Sequence, residues 1–191
     1  MAGEPCSLPG LEFWPVTPDR WKDLEMLFGE RGACAGCWCM WWRLPRSQWV
    51  RQRGEANRRA LKQLVDSGEI PGILAYSQGR PVGWCSVSRR EAFASLERSR
   101  VLKRIDDQPV WSVVCFFVDR AFRRRGLTAA LLKAAVEFVR SQGGKTVEGY
   151  PLATEEGGIS SFMGVASAFR AAGFVEVAQP TKRRYVMRCY L

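Results

Sequence analysis

Val113-Val114-Cys115-Phe116-Phe117-Val118-Asp119-Arg120-Ala121-Phe122-Arg123-Arg124-Arg125-Gly126-Leu127-Thr128 changes character twice. An apolar run of strand type turns into a basic segment with one glycine. A helical pattern then begins at once: Ala129, Ala130, Leu131, Leu132, Ala134, Ala135, Val136, Phe138, Val139. A strand that feeds a turn into a helix N-terminus aims several backbone N–H groups at one point, where the helix dipole adds partial positive charge. Three consecutive arginines bring full charges beside it. The combination reads as a diphosphate site, without the lysine-plus-hydroxyl pair of a nucleoside triphosphatase loop. The plain alternative is a solvated helix start.

Bulk composition narrows the classes. A chain of 191 residues with 47% hydrophobic content suits one domain, residues 1–191, with a proper core. No apolar stretch approaches the ~20 residues of a membrane span. The start, Met1-Ala2-Gly3-Glu4-Pro5-Cys6, has no basic n-region and no apolar h-region, so export is not expected and a cytoplasmic location is. Seven cysteines without a signal peptide read as free thiols in a reducing compartment. The net charge of +10 is spread over Arg43 to Arg59, Arg89 to Arg104, Arg120 to Arg125 and Lys182 to Arg188, so no disordered basic tail is expected. Such charge suits a solvated surface, a polyanionic cofactor or an acidic substrate, and permits nucleic acid. Histidine is absent altogether, which removes Ser-His-Asp and Cys-His nucleophile systems and every imidazole metal site.

Along the chain, Leu11 to Val16 reads as a strand and Thr17-Pro18-Asp19 as a helix start. Trp21, Leu24, Leu27 and Phe28 keep helical spacing until the Gly- and Cys-rich segment from Gly29 to Cys39. A second helix is predicted over Arg46 to Val65. Gly72 to Tyr76 and Pro81 to Val87 form a hairpin around Ser77-Gln78-Gly79-Arg80. Glu91 to Asp107 is charged and irregular, with a helical turn or two. Val110 to Val118 is a strand, buried on both faces. The long helix runs to about Ser141, stopped by Gly143-Gly144. Lys145 to Tyr150 is a strand, Ser160 to Ala172 a helix, and Phe174 to Ala178 and Tyr185 to Cys189 are closing strands.

The hexapeptide Arg123-Arg124-Arg125-Gly126-Leu127-Thr128, set after Val118, resembles the Arg/Gln-x-x-Gly-x-Gly/Ala signature of the GNAT superfamily of acyl-CoA-dependent N-acyltransferases. Thr128 departs from the Gly or Ala of its last position. The element order matches that family over the whole chain, and Gly173-Phe174 resembles its Gly-Phe pair after the last helix. The resemblance implies an α/β (α+β) fold: a mixed, largely antiparallel twisted sheet of about six to seven strands flanked by about four helices. It implies acetyl-CoA as co-substrate and a primary amine as acceptor; separately, no metal and no membrane are expected, nucleic acid is not the expected partner, and a homodimer is left open. The backbone of Phe116, Phe117 and Val118 would pair with the pantetheine arm, and Arg123, Arg124, Arg125, Gly126, Leu127 and Thr128 would hold the pyrophosphate. The family's tyrosine proton donor corresponds to Phe169 and its asparagine on the pantetheine to Phe162, and neither residue can play those parts.

For the acceptor half, Glu148 on the strand across the gap is the first candidate base, with Glu155, Glu156 and Asp119 as weaker choices. Tyr150 or solvent would protonate the thiolate. Glu148 could equally be a structural partner of an arginine. Cys34-Ala35-Gly36-Cys37-Trp38-Cys39-Met40-Trp41-Trp42-Arg43 is the second unusual segment. Three thiols at this spacing suit zinc only with a fourth ligand such as Cys85 or Cys115, and no thioredoxin-like pattern surrounds Cys34 and Cys37. Core packing and a pocket wall remain. On the pocket reading Trp38, Trp41, Trp42 and Met40 shape an aromatic acceptor site, and Arg43 meets an anionic group. The leading expectation is acetyl transfer to a small-molecule amine. A non-catalytic acyl-CoA or nucleic-acid binding module is the alternative from another class.

Overall fold

The apolar run before the arginines forms the middle strand of a seven-stranded sheet. The computed structural model describes residues 10–154 and 159–191. Its strands are β1 (Leu11–Pro15), β2 (Gly72–Ser77), β3 (Arg80–Arg89), β4 (Trp111–Val118), β5 (Thr146–Gly149), β6 (Val175–Thr181) and β7 (Arg184–Tyr190). They lie in the order β1-β2-β3-β4-β5-β7-β6. Neighbours are antiparallel except β4 and β5, which run parallel through the crossover helix between them. The six α-helices of the described residues are α1 (Trp21–Phe28), α2 (Arg46–Arg51), α3 (Glu55–Asp66), α4 (Ala94–Glu97), α5 (Leu127–Ser141) and α6 (Ala166–Ala171). None is long and apolar enough to cross a membrane.

Each face of the sheet is covered by residues that the sequence spaces for it. On one face, α5 buries Leu127, Leu131, Leu132, Ala135, Val136 and Val139, a stripe at helical period. Gly83 of β3 admits it: a Cβ there would stand 3.0 Å from the Leu127 side chain and 3.1 Å from Leu131. The opposite face is packed by α1, α3 and the Cys/Trp segment around Trp21, Phe28, Trp38, Leu61, Val65 and Trp84. A smaller cluster of Phe93, Leu96, Leu102, Val114, Tyr150 and Met163 lies beside it.

Two expected helices are divided. The helix predicted from Arg46 to Val65 becomes α2 and α3, because Gly54 takes φ 82° between them. The helix predicted from Ser160 to Ala172 becomes a 3₁₀ turn (Ile159–Met163) and α6, separated at Gly164 with φ 84°. In both, the apolar spacing continues across a break that backbone geometry imposes. Glu155 and Glu156, the loop alternatives for a base, and the first nine residues with Cys6 lie outside the described residues.

Candidate functional site

β4 and β5 stay together for only three pairs, Trp111↔Val147, Ser112↔Glu148 and Val113↔Gly149. Beyond Gly149 the chain follows β7: the Tyr185 N–H donates to the Pro151 carbonyl at 3.1 Å, and Leu152 bridges Arg184. β4 meanwhile keeps its pairing with β3 as far as Val118↔Gly83, with a bulge at Val114 between the Cys115↔Ser86 and Val113↔Val87 pairs. The strands therefore part after Val113, and β4 gains an edge facing the gap.

The register decides which backbone groups face it. The Asp119 N–H donates to the Val82 carbonyl on the β3 side at 2.9 Å. The two ends of a trans peptide point oppositely, so the Val118 carbonyl faces the gap. Arg123 Nε donates to that carbonyl at 3.0 Å. With the strand period of two, Phe116 and Val118 present their amide and carbonyl to the gap, while those of Phe117 serve β3.

The basic turn follows directly. Arg124 has φ 57° and Gly126 φ 79°, left-handed conformations that curl the chain just before α5. Nothing lies within 4 Å of where a Gly126 Cβ would be. Among the described residues, no backbone or side-chain oxygen accepts from the amides of Arg124, Arg125 or Gly126, and no carboxylate pairs with Arg123, Arg124 or Arg125. The N-terminus of α5 has no side-chain cap and no acidic residue in its first turn. Leu127 is buried in the core, whereas Thr128 is half-exposed. Free amides, an uncompensated dipole and three exposed guanidinium groups can receive a polyanion.

Glu148 and Tyr150 are in the packed interior beside the point of parting. Glu148 is 1% exposed. Its Oε1 accepts from Arg90 Nη1 at 2.9 Å and from the Tyr150 hydroxyl at 2.7 Å, and its Oε2 accepts from Arg188 Nε at 2.8 Å. Arg90 also reaches Tyr150 Oη at 2.6 Å, Glu97 at 2.6 Å and the Leu102 carbonyl at 2.6 Å. Arg188 forks onto Asp106 at 2.6 and 2.9 Å, and Ser112 Oγ lies 2.8 Å from Tyr150 Oη. Burial, reinforced by the Glu148 charge, pushes the Tyr150 phenol well above its ordinary range. Both oxygens of Glu148 are thus hydrogen-bonded, in a carboxylate closed off from solvent. Arg90, Arg188, Asp106 and Ser112 were not singled out from the sequence; no local pattern marks residues that meet across 58 and 40 positions.

The expected aromatic wall divides. Trp38, expected on the pocket, is instead a core residue, stacked on Trp21 at 6.1 Å and edge-on to Phe28 at 5.5 Å. Arg43, expected to meet an anionic ligand, is also interior: Nη2 donates to Ser88 Oγ at 2.7 Å and the guanidinium lies over Phe93 at 4.7 Å. Burial lowers its pKa to about 10. Met40 is buried as well. Trp41 and Trp42 alone of this group keep exposed surface, Trp41 edge-on to Trp49 at 4.7 Å and beneath Arg46 at 4.6 Å. Phe169 fills a seat in the core between Phe116 and Phe174, at 6.1 and 5.0 Å. Among the described residues, no three or more cysteines and carboxylates converge as metal ligands. Cys39 Sγ instead lies 3.2 Å from Cys115 Sγ on β4.

Residues 38–153 match the model of the acetyltransferase (GNAT) family. Among curated proteins, none matches in sequence. Solved structures match over nearly the whole chain. A GNAT-family acetyltransferase from Streptococcus agalactiae is similar at 14% identity, with TM-score 0.58, 97% of this chain and 98% of that chain covered. The PaiA N-acetyltransferase of Thermoplasma acidophilum, solved in complex with coenzyme A, is similar at 11% identity and TM-score 0.53, covering 95% and 99%. A GNAT-family acetyltransferase from Listeria monocytogenes shows 12% identity and TM-score 0.57, covering 97% and 98%.

Proposed function

Since the chain belongs to the acetyltransferase (GNAT) family, we propose that it transfers an acetyl group from acetyl-CoA to a primary amine. The observation that carries the donor half is the parting of β4 from β5 after Val113, beside a turn whose amides have no acceptor among the described residues. In this reading the amides of Arg124 to Thr128 bind the pyrophosphate, with the Arg123, Arg124 and Arg125 side chains adding charge. Phe116 and Val118 pair with the pantetheine arm as an added strand does, and Phe117 supports them from the β3 side. Arg123 releases the Val118 carbonyl as it turns to the phosphates. Acetyl-CoA supplies the activated acyl group. The chain's residues orient it along β4 toward Val114 and Cys115.

The amine loses its proton to water rather than to Glu148, whose carboxylate is buried and bonded to Arg90, Arg188 and Tyr150, and the thiolate leaves without a dedicated acid, since a thiolate is stable enough at neutral pH. Glu148 and Tyr150 act as positioning residues. They tie Ser112 to β5 and so hold the strands together up to the point of parting. Trp41 and Trp42 offer flat, partly exposed surface on the acceptor side, which suits a compact small-molecule amine better than an extended protein terminus.

The test is acetyl-CoA titration followed by thiol release over a panel of amines. Each lost phosphate contact removes about 1.5–3 kcal/mol, so Arg123→Glu or Gly126→Trp is expected to weaken acetyl-CoA at least about tenfold. Unchanged affinity in both variants would overturn the donor placement. Tight acetyl-CoA binding with no thiol release for any amine favours the second reading, a non-catalytic acyl-CoA binding module. That reading draws support from the buried, fully bonded state of Glu148 and Tyr150.

A further inference from the structure

The Cys/Trp segment is wound unusually tightly. Ala33, Ala35, Trp38 and Cys39 all take positive φ (68°, 50°, 45° and 52°), as do Gly32 and Gly36. Each such non-glycine residue costs energy that its surroundings must repay. Three anchors hold the coil. The Gly36 carbonyl accepts from Gly54 N at 3.0 Å and from Asn57 Nδ2 at 3.1 Å, and Trp38 stacks in the core. A Cβ on Gly36 would stand 2.4 Å from Gly54 N, so the loop can approach α3 this closely only with glycine there.

The outcome of the winding is a thiol aimed at the sheet. Cys39 Sγ accepts a hydrogen bond from the Trp84 indole N–H at 3.1 Å and lies 3.2 Å from Cys115 Sγ, a residue 76 positions away. Cys115 belongs to β4 just beyond the parting from β5 and is partly exposed, whereas Cys39 is buried. Simple packing would not distinguish these two from Cys85, which is buried without a hydrogen-bonded thiol among the described residues. We propose that Cys39 and Cys115 form an oxidisable dithiol, a modification site at which a hydroperoxide closes a disulfide between the Cys/Trp segment and β4.

The steps balance with the peroxide as sole oxidant. The Cys115 thiolate attacks the outer peroxide oxygen; an S–O bond forms, the O–O bond breaks, and hydroxide or alkoxide leaves with the proton from the thiol. The Cys39 sulfur, held in place by the Trp84 N–H at 3.1 Å, then attacks the Cys115 sulfenic acid and gives up its thiol proton to the departing oxygen. The S–S bond forms, the S–O bond breaks, and water leaves carrying the Cys39 proton. Two thiols and one hydroperoxide become one disulfide, one alcohol or water, and one water. Closure brings the two sulfurs from 3.2 Å to the ~2.05 Å of a disulfide. The bond staples the segment that carries Trp41 and Trp42 to the strand proposed to carry the acyl donor.

The test uses the full chain with Cys34→Ser and Cys37→Ser, which removes competing thiols on the same loop. Treatment with hydrogen peroxide, alkylation of remaining thiols and trypsin digestion should yield one disulfide-linked pair, the Gly32–Arg43 and Ile105–Arg120 peptides. Dithiothreitol should separate them. Adding Cys39→Ser or Cys115→Ser should abolish the link, and Cys39→Ala with a native circular dichroism spectrum guards against loss by unfolding. A folded protein that reaches stable Cys115 sulfinic acid without the link, or links Cys115 elsewhere, overturns the proposal. The readout needs no acetyl-CoA, so its failure is distinct from failure of the acetyltransferase reading.

Discussion

Glu148 lies in the interior with two guanidinium groups and a phenol around its carboxylate. Such a group is costly to alter from one side only: removing one partner strands the others without water. Glu148→Gln keeps the shape but turns an N–H₂ toward an arginine that also donates. The expected result is a loss of about 3 kcal/mol or more in unfolding free energy by denaturant titration, with kcat of the surviving folded fraction changed little. A stable variant with strongly reduced kcat would instead make Glu148 the base. Arg43 shows the same physics with a different outcome. Among the described residues it is buried without a carboxylate hydrogen-bond partner and relies on Ser88 and the face of Phe93. Its residue type pointed to a ligand; its neighbours make it a core cation.

At the scale of elements, the gap depends on where strands stop pairing and on what packs beneath them. Phe169 needs Gly149 and Gly164: a Cβ would stand 2.2 Å from its Cε1 at Gly149 and 2.8 Å from its Cε2 at Gly164. Gly149→Ala is therefore expected to displace Phe169 and the end of β5 and to lower the melting temperature, with Phe169→Leu partly rescuing it; an unchanged melting temperature would refute this seat. The aromatic segment separates in the same way. Trp38→Ala should cost about 3–5 kcal/mol of stability as a core truncation. Trp41→Ala should leave stability nearly intact and raise the KM for the acceptor more than that for acetyl-CoA, and the reverse order in steady-state kinetics would count against an acceptor role. Helix period alone marked α5 correctly, since its buried stripe is a local pattern. It could not divide 46–65 or 160–172, where the apolar spacing runs on across Gly54 and Gly164.

For the whole molecule, buried acids set the alkaline limit. Burial and mutual contact raise Cys37 to about 11 and push Cys39, Cys85, Tyr76 and Tyr150 above their ordinary values. These groups stay protonated in the folded chain at pH values where the unfolded chain releases protons. The unfolded state then binds fewer protons, so stability falls as pH rises. The contribution is complete below the ordinary thiol value of 9.0 and is lost above it. Melting temperatures measured from about pH 8 to about pH 11 should decline steadily, and a flat profile would contradict the burial of these groups.

The strand, the basic turn and the helix that follow one another from Val113 onward were legible in the chain, because a strand run, a left-handed glycine and a helical stripe act on near neighbours. The order of elements was legible for the same reason. Only the tertiary structure decided where β4 parts from β5, since that depends on Pro151 to Ala153 pairing with β7 rather than β4. It also decided that Glu148 is clamped, that Trp38 and Arg43 lie inside, and that Cys39 meets Cys115. Burial and hydrogen bonding are properties of what surrounds a side chain, and here the arginines on Glu148, the serine on Arg43 and the thiol beside Cys39 arrive from 40 to 76 residues away.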